Sequence, residues 1–352
     1  MGTFAAVALA LALAFPGALA PVTTPLPPLP IAAFPDYEPP ALGAAAWALY
    51  SVDQGATIWG SAANDVRPPA SLTKLMTALL VVEAGTDPAT EVTISAAAAA
   101  EPIGYVGQLK LYEGEVWLLE DLLTEMLIYS DNGAAVALAE QVAGSVDAFV
   151  ELMNQRAAEL GMTSTNFENP NGLDETGHVS SAQDLIRLGT AALAEPRITR
   201  ITRVKYATFT PNGRVMEVKN TNRLLGTFPG IFGLKTGDTL TAGECLLSYG
   251  SFPRGDFLAV VMGTDDHMRD TRALMAYALR TLGPKDYFYS AGADLPALAE
   301  WPPWLLSRID AAGPLDDGRR PGAPARLSPA ERELAAALGD LLPRVLGGGG
   351  DG

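Results

Sequence analysis

Pro68-Pro69-Ala70-Ser71-Leu72-Thr73-Lys74-Leu75-Met76-Thr77-Ala78-Leu79-Leu80 is the stretch on which the fold and the chemistry of this chain turn. Leu72, Leu75, Met76, Leu79 and Leu80 recur at helical spacing, which predicts a helix from Ser71 to Ala84. Ser71 and Lys74 stand at i and i+3, so hydroxyl and amine share one helix face. A serine hydroxyl is a weak nucleophile until a neighbouring base takes its proton. Lysine serves as that base only when its pKa falls, and desolvation or a second nearby cation lowers it. The helix N-terminus favours negative charge developing at the serine, and Pro68-Pro69 fit a strained approach to a catalytic helix. By average composition a Ser-x-x-Lys arises about once in a chain of this size, and an ordinary surface pair would look the same. Other residues must decide.

Two further motifs follow in order. Ser130-Asp131-Asn132-Gly133 breaks two apolar helical stretches, Val116–Tyr129 and Ala134–Val142, with turn-forming residues. A polar turn between apolar helices calls for a reason: Ser130 can relay a proton, and Asn132 has both donor and acceptor for a substrate amide. Ser164-Thr165-Asn166 repeats the Ser-x-Asn pattern but merely precedes a loop, Asn166-Phe167-Glu168-Asn169-Pro170. Lys235-Thr236-Gly237 opens a strand-like segment. Its lysine would depress the pKa of Lys74 and attract a substrate carboxylate, and its glycine would let a backbone come close. The three motifs stand 59 and 105 residues apart, from 71 to 130 and from 130 to 235. Together in this order they form a combination associated with class A β-lactamases and penicillin-binding proteins.

Strands are expected at both ends of the region around these motifs. Trp47–Ser51 and Thr57–Gly60 flank Asp53-Gln54-Gly55 as a hairpin. Lys205–Thr210 and Arg214–Asn220 flank Pro211-Asn212-Gly213, and Glu244–Phe252 and Phe257–Gly263 follow. Ser145 caps a helix running to about Leu160, and another is expected from Asp270 to Leu282. Terminal strands around a helical middle predict an α+β domain whose end strands share one antiparallel sheet.

The chain has 352 residues, formal net charge −16 and 48% hydrophobic residues, so a folded, acidic protein is expected. Such charge repels nucleic acid and gains nothing from an anionic membrane surface. Cys245 is the single cysteine, which leaves no intramolecular disulfide and reads as a buried inert thiol. With two histidines, His178 and His267, and that cysteine, a zinc ligand set is not expected, and no metal or cofactor is invoked. Residues 1–20 read as an export signal or anchor: Phe4–Phe15 is apolar and Ala18-Leu19-Ala20 is a small-x-small cleavage pattern. The n-region lacks Lys or Arg, and Pro21 would follow the cleavage point. Residues 21–40 form a Pro-rich linker, 41–285 the folded domain, and 286–352 a Pro/Gly-rich tail. One short tail helix is expected after Ser328-Pro329, with mixed charges that suit a surface better than a membrane.

From about Ala46 to Leu282 the chain resembles the serine D-alanyl-D-alanine carboxypeptidases, the low-molecular-mass penicillin-binding proteins. Besides the three motifs, the resemblance rests on Met153-Asn154, Leu160-Gly161-Met162, Asn169-Pro-Asn-Gly-Leu-Asp174, Gly177-His178 and Gly233-Leu-Lys-Thr-Gly237. It implies a β-lactamase/transpeptidase-like fold and an exported enzyme at the periplasm, the outer face of the membrane or the cell wall. It implies hydrolysis of the terminal D-alanine from peptidoglycan pentapeptides, with β-lactam antibiotics as covalent inhibitors and a possible N-terminal membrane tether. Ser71 would carry the acyl-ester, Lys74 would be its base and Ser130 the proton relay. Asn132 would hold the substrate amide, and Lys235 and Thr236 its terminal carboxylate, with Gly237 in the same substrate-binding motif. The backbone N–H groups of Ser71 and Asp238 would make the oxyanion hole.

The chain departs from the family pattern at three places. Asp131 precedes Asn132-Gly133 where the family usually has Gly followed by Asn-Asp, an arrangement closer to the β-lactamases. His267 occupies the place of an arginine that often helps bind the substrate carboxylate, with Arg269 two residues on as the candidate for that task. About 60 residues follow the domain, with too few apolar strands for the β-rich second domain the family often carries. Two rival readings remain. A class A-like β-lactamase needs a glutamate to activate water; Glu168 has a plausible separation but lies in the carboxypeptidase-like run. A non-catalytic muropeptide-binding envelope protein would have no need of Ser71, Lys74 and Lys235.

Overall fold

The computed structural model describes residues 40–102, 110–252 and 255–281. The signal or anchor at 1–20, nearly all of the 21–40 linker, and the 286–352 tail with its short helix lie outside the described residues.

In chain order the elements are β1 (Ala46–Ser51), β2 (Ala56–Ser61), a 3-10 turn at Ala70–Thr73, α1 (Lys74–Glu83), β3 (Glu91–Thr93) and α2 (Ala96–Ala100). Then come β4 (Val116–Leu118), α3 (Leu119–Ile128), α4 (Asn132–Ala143), α5 (Val146–Glu159), α6 (Ala182–Ala194) and α7 (Pro196–Thr202). The chain continues through β5 (Tyr206–Phe209), β6 (Met216–Lys219), β7 (Ile231–Thr239), β8 (Gly243–Phe252), β9 (Gly255–Thr264) and α8 (His267–Thr281). The main sheet is antiparallel with strand order β2-β1-β9-β8-β7. Strands from both ends of the domain therefore meet, as the α+β reading expects.

Every residue of β1 is buried, because both faces of the sheet are covered. Ala46, Ala48 and Tyr50 face the larger core with Leu75, Leu79, Leu122, Met126 and Leu138 from the helical region. Trp47 and Leu49 face a second core closed by Met268, Leu274, Met275 and Ala278 of α8. The alternation is thus real but invisible in a hydropathy pattern that is apolar throughout.

Four boundaries differ from expectation by three residues or more; one is β7, which begins at Ile231, so Lys235-Thr236-Gly237 lies inside the strand instead of opening it. The single helix expected over Val116–Tyr129 is strand β4 followed by α3. Val116 is half-buried, Trp117 buried and Leu118 exposed, a period of two that pairs with β3. Helix α8 begins at His267 rather than Asp270, because the Asp266 carboxylate accepts from Arg269 N at 2.9 Å and caps the first turn. The helix expected from Ser71 opens as a 3-10 turn and becomes α-helical at Lys74. The sequence reading passed over α6 and α7, although Ser181 caps α6 by accepting from Asp184 N at 3.1 Å and Pro196 occupies the first turn of α7.

Leu79 lies on the core face of α1 and is almost completely buried. Leu79→Ala should destabilise the domain by about 2–5 kcal/mol through lost burial and the cavity left behind, read as a fall in the urea midpoint at unchanged slope.

Candidate active site

Chain geometry at the start of α1 is unusual for a reason visible in its neighbours. Ala70 has φ +49°, a left-handed conformation that is uncommon for a residue with a Cβ. The strained approach expected at Pro68-Pro69 is realised one residue later. Gly172, at φ +84°, lies against this turn: a Cβ there would come within 2.0 Å of the Ala70 carbonyl oxygen. On the other side Gly237 of β7 passes so close that a Cβ would meet Ser71 N at 3.0 Å. Two segments far apart in sequence are therefore packed onto the Ser71 turn, and glycine is what permits the approach.

Lys74 has no exposed surface, and its Nζ is 2.9 Å from Ser71 Oγ. The other two contacts of the amine are Asn132 Oδ1 at 2.8 Å and the Asn171 carbonyl oxygen at 2.5 Å. A neutral amine has two N–H groups and one lone pair. With both N–H groups given to Asn132 and Asn171, the lone pair is left for the Ser71 hydroxyl. Burial lowers the Lys74 pKa to about 7, against the opposing influence of the Asp131 and Glu101 carboxylates. The amine is thus poised to accept a proton near neutrality.

Ser130 sits between α3 and α4 with φ +74°, and its N–H donates to the Glu125 carbonyl at 3.2 Å. Asp131, the residue that departs from the family pattern, is the N-cap of α4: its carboxylate accepts from Ala134 N at 2.7 Å. That cap turns Asn132 inward to Lys74.

Lys235 is buried on β7, where its Nζ donates to the Thr236 carbonyl at 3.0 Å. Burial, and then the Lys74 charge, push its pKa well below the usual lysine value. The sequence expectation runs the other way: the fall in the Lys74 pKa comes from burial, and the charge influence runs from Lys74 to Lys235. Thr236 Oγ1 lies 2.5 Å from Thr221 Oγ1, and Thr221 N donates to Ile128 O at 2.9 Å, which ties β7 to the end of α3. No sequence signal had marked Thr221.

Arg269 is turned elsewhere. Its guanidinium pairs with Asp265 at 2.8 Å and Asp270 at 3.0 Å, and its side chain is about half exposed at 53%. His267 is buried instead, with Nδ1 hydrogen-bonded to Glu244, which also accepts His267 N–H at 3.0 Å. Asp238 stands opposite Glu244 in the β7–β8 register, and burial raises its pKa, with the Glu244 charge acting in the same direction. Glu168 is exposed and accepts from Asn166 Nδ2 at 2.7 Å. Cys245 is buried, its thiol pushed up to about 12 by burial, the inert state expected of it.

His178, named by the sequence only through resemblance, braces the site from behind. Glu168 N–H donates to its Nδ1 at 3.0 Å, so the ring proton sits on Nε2 and donates to Thr73 Oγ1 at 2.8 Å. Burial and then the Lys74 charge lower its pKa to about 4.

A strand edge, a serine at a helix entry and a buried lysine pair thus meet on a β-lactamase/transpeptidase-like fold. Residues 35–266 match the family described as D-alanyl-D-alanine carboxypeptidase, Peptidase_S11, and the chain belongs to that family. It is similar to the D-alanyl-D-alanine carboxypeptidase DacF of Bacillus subtilis, with 36% identity over 61% of this chain and 56% of that one. The chain thus aligns with little more than half the length of that relative. Among solved structures it resembles the Streptomyces K15 DD-transpeptidase, with TM-score 0.64 and 25% identity over 69% of this chain and 100% of the other. It also resembles penicillin-binding protein D2 from Listeria monocytogenes in its cefotaxime-bound form, with TM-score 0.62 and 30% identity over 69% and 100% of the two chains.

Because His178 is held neutral in the fold, the unfolded chain binds more protons between pH 6.5 and 4. Stability should therefore be full above about pH 6.5 and fall by about 3 kcal/mol through this group as pH drops to 4. His178→Asn should flatten that part of the melting-temperature profile, measured by calorimetry.

Proposed function

We propose that the chain is a serine-type D-Ala-D-Ala carboxypeptidase acting on peptidoglycan stem peptides through an acyl-enzyme on Ser71. The observation that carries this reading is the Lys74 amine, fully buried 2.9 Å from Ser71 Oγ with its pKa near 7, in a chain of this family. In the proposed reaction Ser71 Oγ attacks the carbonyl carbon of the penultimate D-alanine, and its proton passes to Lys74. The backbone N–H groups of Ser71 and Asp238 receive the oxyanion. As the intermediate collapses, the C–N bond breaks, Ser130 relays a proton to the departing amine, and the last D-alanine leaves. Water then attacks the ester, and the carbonyl–Oγ bond breaks to restore Ser71. Asn132 holds the substrate amide. The terminal carboxylate is received by Lys235 and Thr236, with the Thr221 hydroxyl beside them.

Arg269 was the sequence candidate for assisting that carboxylate, but its two aspartate partners favour assigning the task to His267. The Nε2 of His267 is buried without a hydrogen-bond partner, and Glu244 anchors the opposite ring nitrogen. The β-lactamase alternative draws no support from Glu168, which is exposed and bonded to Asn166. A non-catalytic muropeptide binder gives no reason to desolvate two lysines beside a serine, an arrangement that costs stability. Penicillins are proposed to acylate Ser71, and export to the cell envelope follows from a peptidoglycan substrate.

Ser71→Ala should abolish labelling by a fluorescent penicillin and D-alanine release; release that persists would reassign the nucleophile. Benzylpenicillin should leave a long-lived acyl-enzyme, and fast multiple turnover would favour the β-lactamase. Mass spectrometry of products from a pentapeptide should show loss of one D-alanine, whereas cleavage of a cross-linked muropeptide alone would make the enzyme an endopeptidase.

A further inference from the structure

Both acceptors that orient Lys74 are held by one dipeptide outside the three motifs. Glu101 follows α2, and its Oε2 accepts from Asn171 Nδ2 at 2.9 Å. The next residue, Pro102, presents its carbonyl oxygen to Asn132 Nδ2 at 2.9 Å. Asn171 and Asn132 are the two residues whose oxygens accept from Lys74 Nζ. Glu101-Pro102 therefore grips, by one side chain and one carbonyl, the side-chain amides of the two residues that supply acceptors to Lys74.

The charges around Lys74 make the carboxylate more than a strut. Its own helix turn contributes only Ser71, which is neutral. The start of α4 brings Asp131 and neutral Asn132, the 166–179 loop brings Asn171 and His178, and β7 brings Lys235. Two carboxylates, Asp131 and Glu101, act by charge on the Lys74 amine. Asp131 has the larger influence of the two and also caps α4. Glu101 is half-buried and interacts with Lys74 by charge as well as through Asn171.

We propose that Glu101 is a positioning residue for Lys74: it holds the Asn171 carbonyl on the amine and its negative charge sets how readily the amine sheds its proton. The proposal rests on the reading of Ser71 and Lys74 as nucleophile and base. Removing the Glu101 charge favours the neutral amine. Glu101→Gln keeps an acceptor for Asn171 Nδ2 while losing the charge; Glu101→Ala loses both.

Two measurements on the full chain test this. The first follows Lys74 by lysine-Cε NMR titration, which does not require activity. The Lys74 midpoint should fall by roughly half a pH unit in Glu101→Gln, and an unmoved midpoint overturns the proposal. The second measures the second-order rate of acylation by a chromogenic penicillin from pH 5 to 9. The acidic limb should move to lower pH in both variants, and Glu101→Ala should also lose more of the plateau rate than Glu101→Gln. A uniform loss at all pH values with an unshifted limb would make Glu101 merely structural and overturn the proposal. A wild-type chain that resists acylation while the NMR midpoint still shifts would sink the carboxypeptidase reading and leave the Glu101–Lys74 coupling standing.

Discussion

The burial of the Lys74 amine against Ser71 is the constraint around which the rest of the site is built. A lysine in water is protonated at neutral pH and has no lone pair to offer. Here it is enclosed by α1, the start of α4, the 169–174 loop and β7, and loss of solvent brings its pKa to about 7. A buried amine is costly unless its hydrogen bonds are met. Asn132 and Asn171 meet them, and in doing so choose the direction of the lone pair. The same groups that make the burial tolerable therefore leave the lone pair facing Ser71.

Much of the surrounding architecture serves that enclosure. The Ser71 turn is wedged between Gly172, where a Cβ would strike the Ala70 carbonyl, and Gly237, where one would be tightly crowded. His178 ties Thr73 to the loop after α5 in a single tautomer, so the turn cannot rotate away from its lysine. Asp174 locks the same loop to the β7–β8 hairpin by accepting from Thr239 Oγ1 at 2.6 Å and Thr241 N at 3.1 Å. The carboxylates near the site divide by geometry: Asp131 caps a helix, Asp174 clamps a hairpin, and Glu101 reaches Lys74 through Asn171. Within an acidic chain, these carboxylates surround a site whose buried amines are Lys74 and Lys235.

The sequence reading succeeded where spacing and chemistry coincide. Helix α5 with its Ser145 cap, the strands of both hairpins and the antiparallel sheet from both ends were all legible, because turn residues and apolar periodicity agree there. It failed at Val116–Leu118, where a three-residue strand runs straight into a helix and no window of helical length separates the two periods. Helix α6 carries the ordinary signals of a helix, an apolar face of Leu185, Ile186, Leu188 and Ala192 behind the Ser181 cap. Arg269 stands two residues beyond the position expected for carboxylate binding, but Asp265 and Asp270, its neighbours in sequence, take its charge in the fold.

The sequence by itself determined the identity and order of Ser71, Lys74, Ser130, Asn132 and Lys235, and the helical pitch that brings the first two together. Those follow from local geometry, since residues three apart on a helix meet whatever surrounds them. Only the tertiary structure decided that Lys74 is dry, which of its hydrogen bonds go to Asn132 and Asn171, and that Glu101-Pro102 stands behind both. These are contacts between residues 58 and 97 positions apart for Lys74 and 30 and 70 apart for the dipeptide. Desolvation depends on every element packed around a group, so no local pattern of residues encodes it.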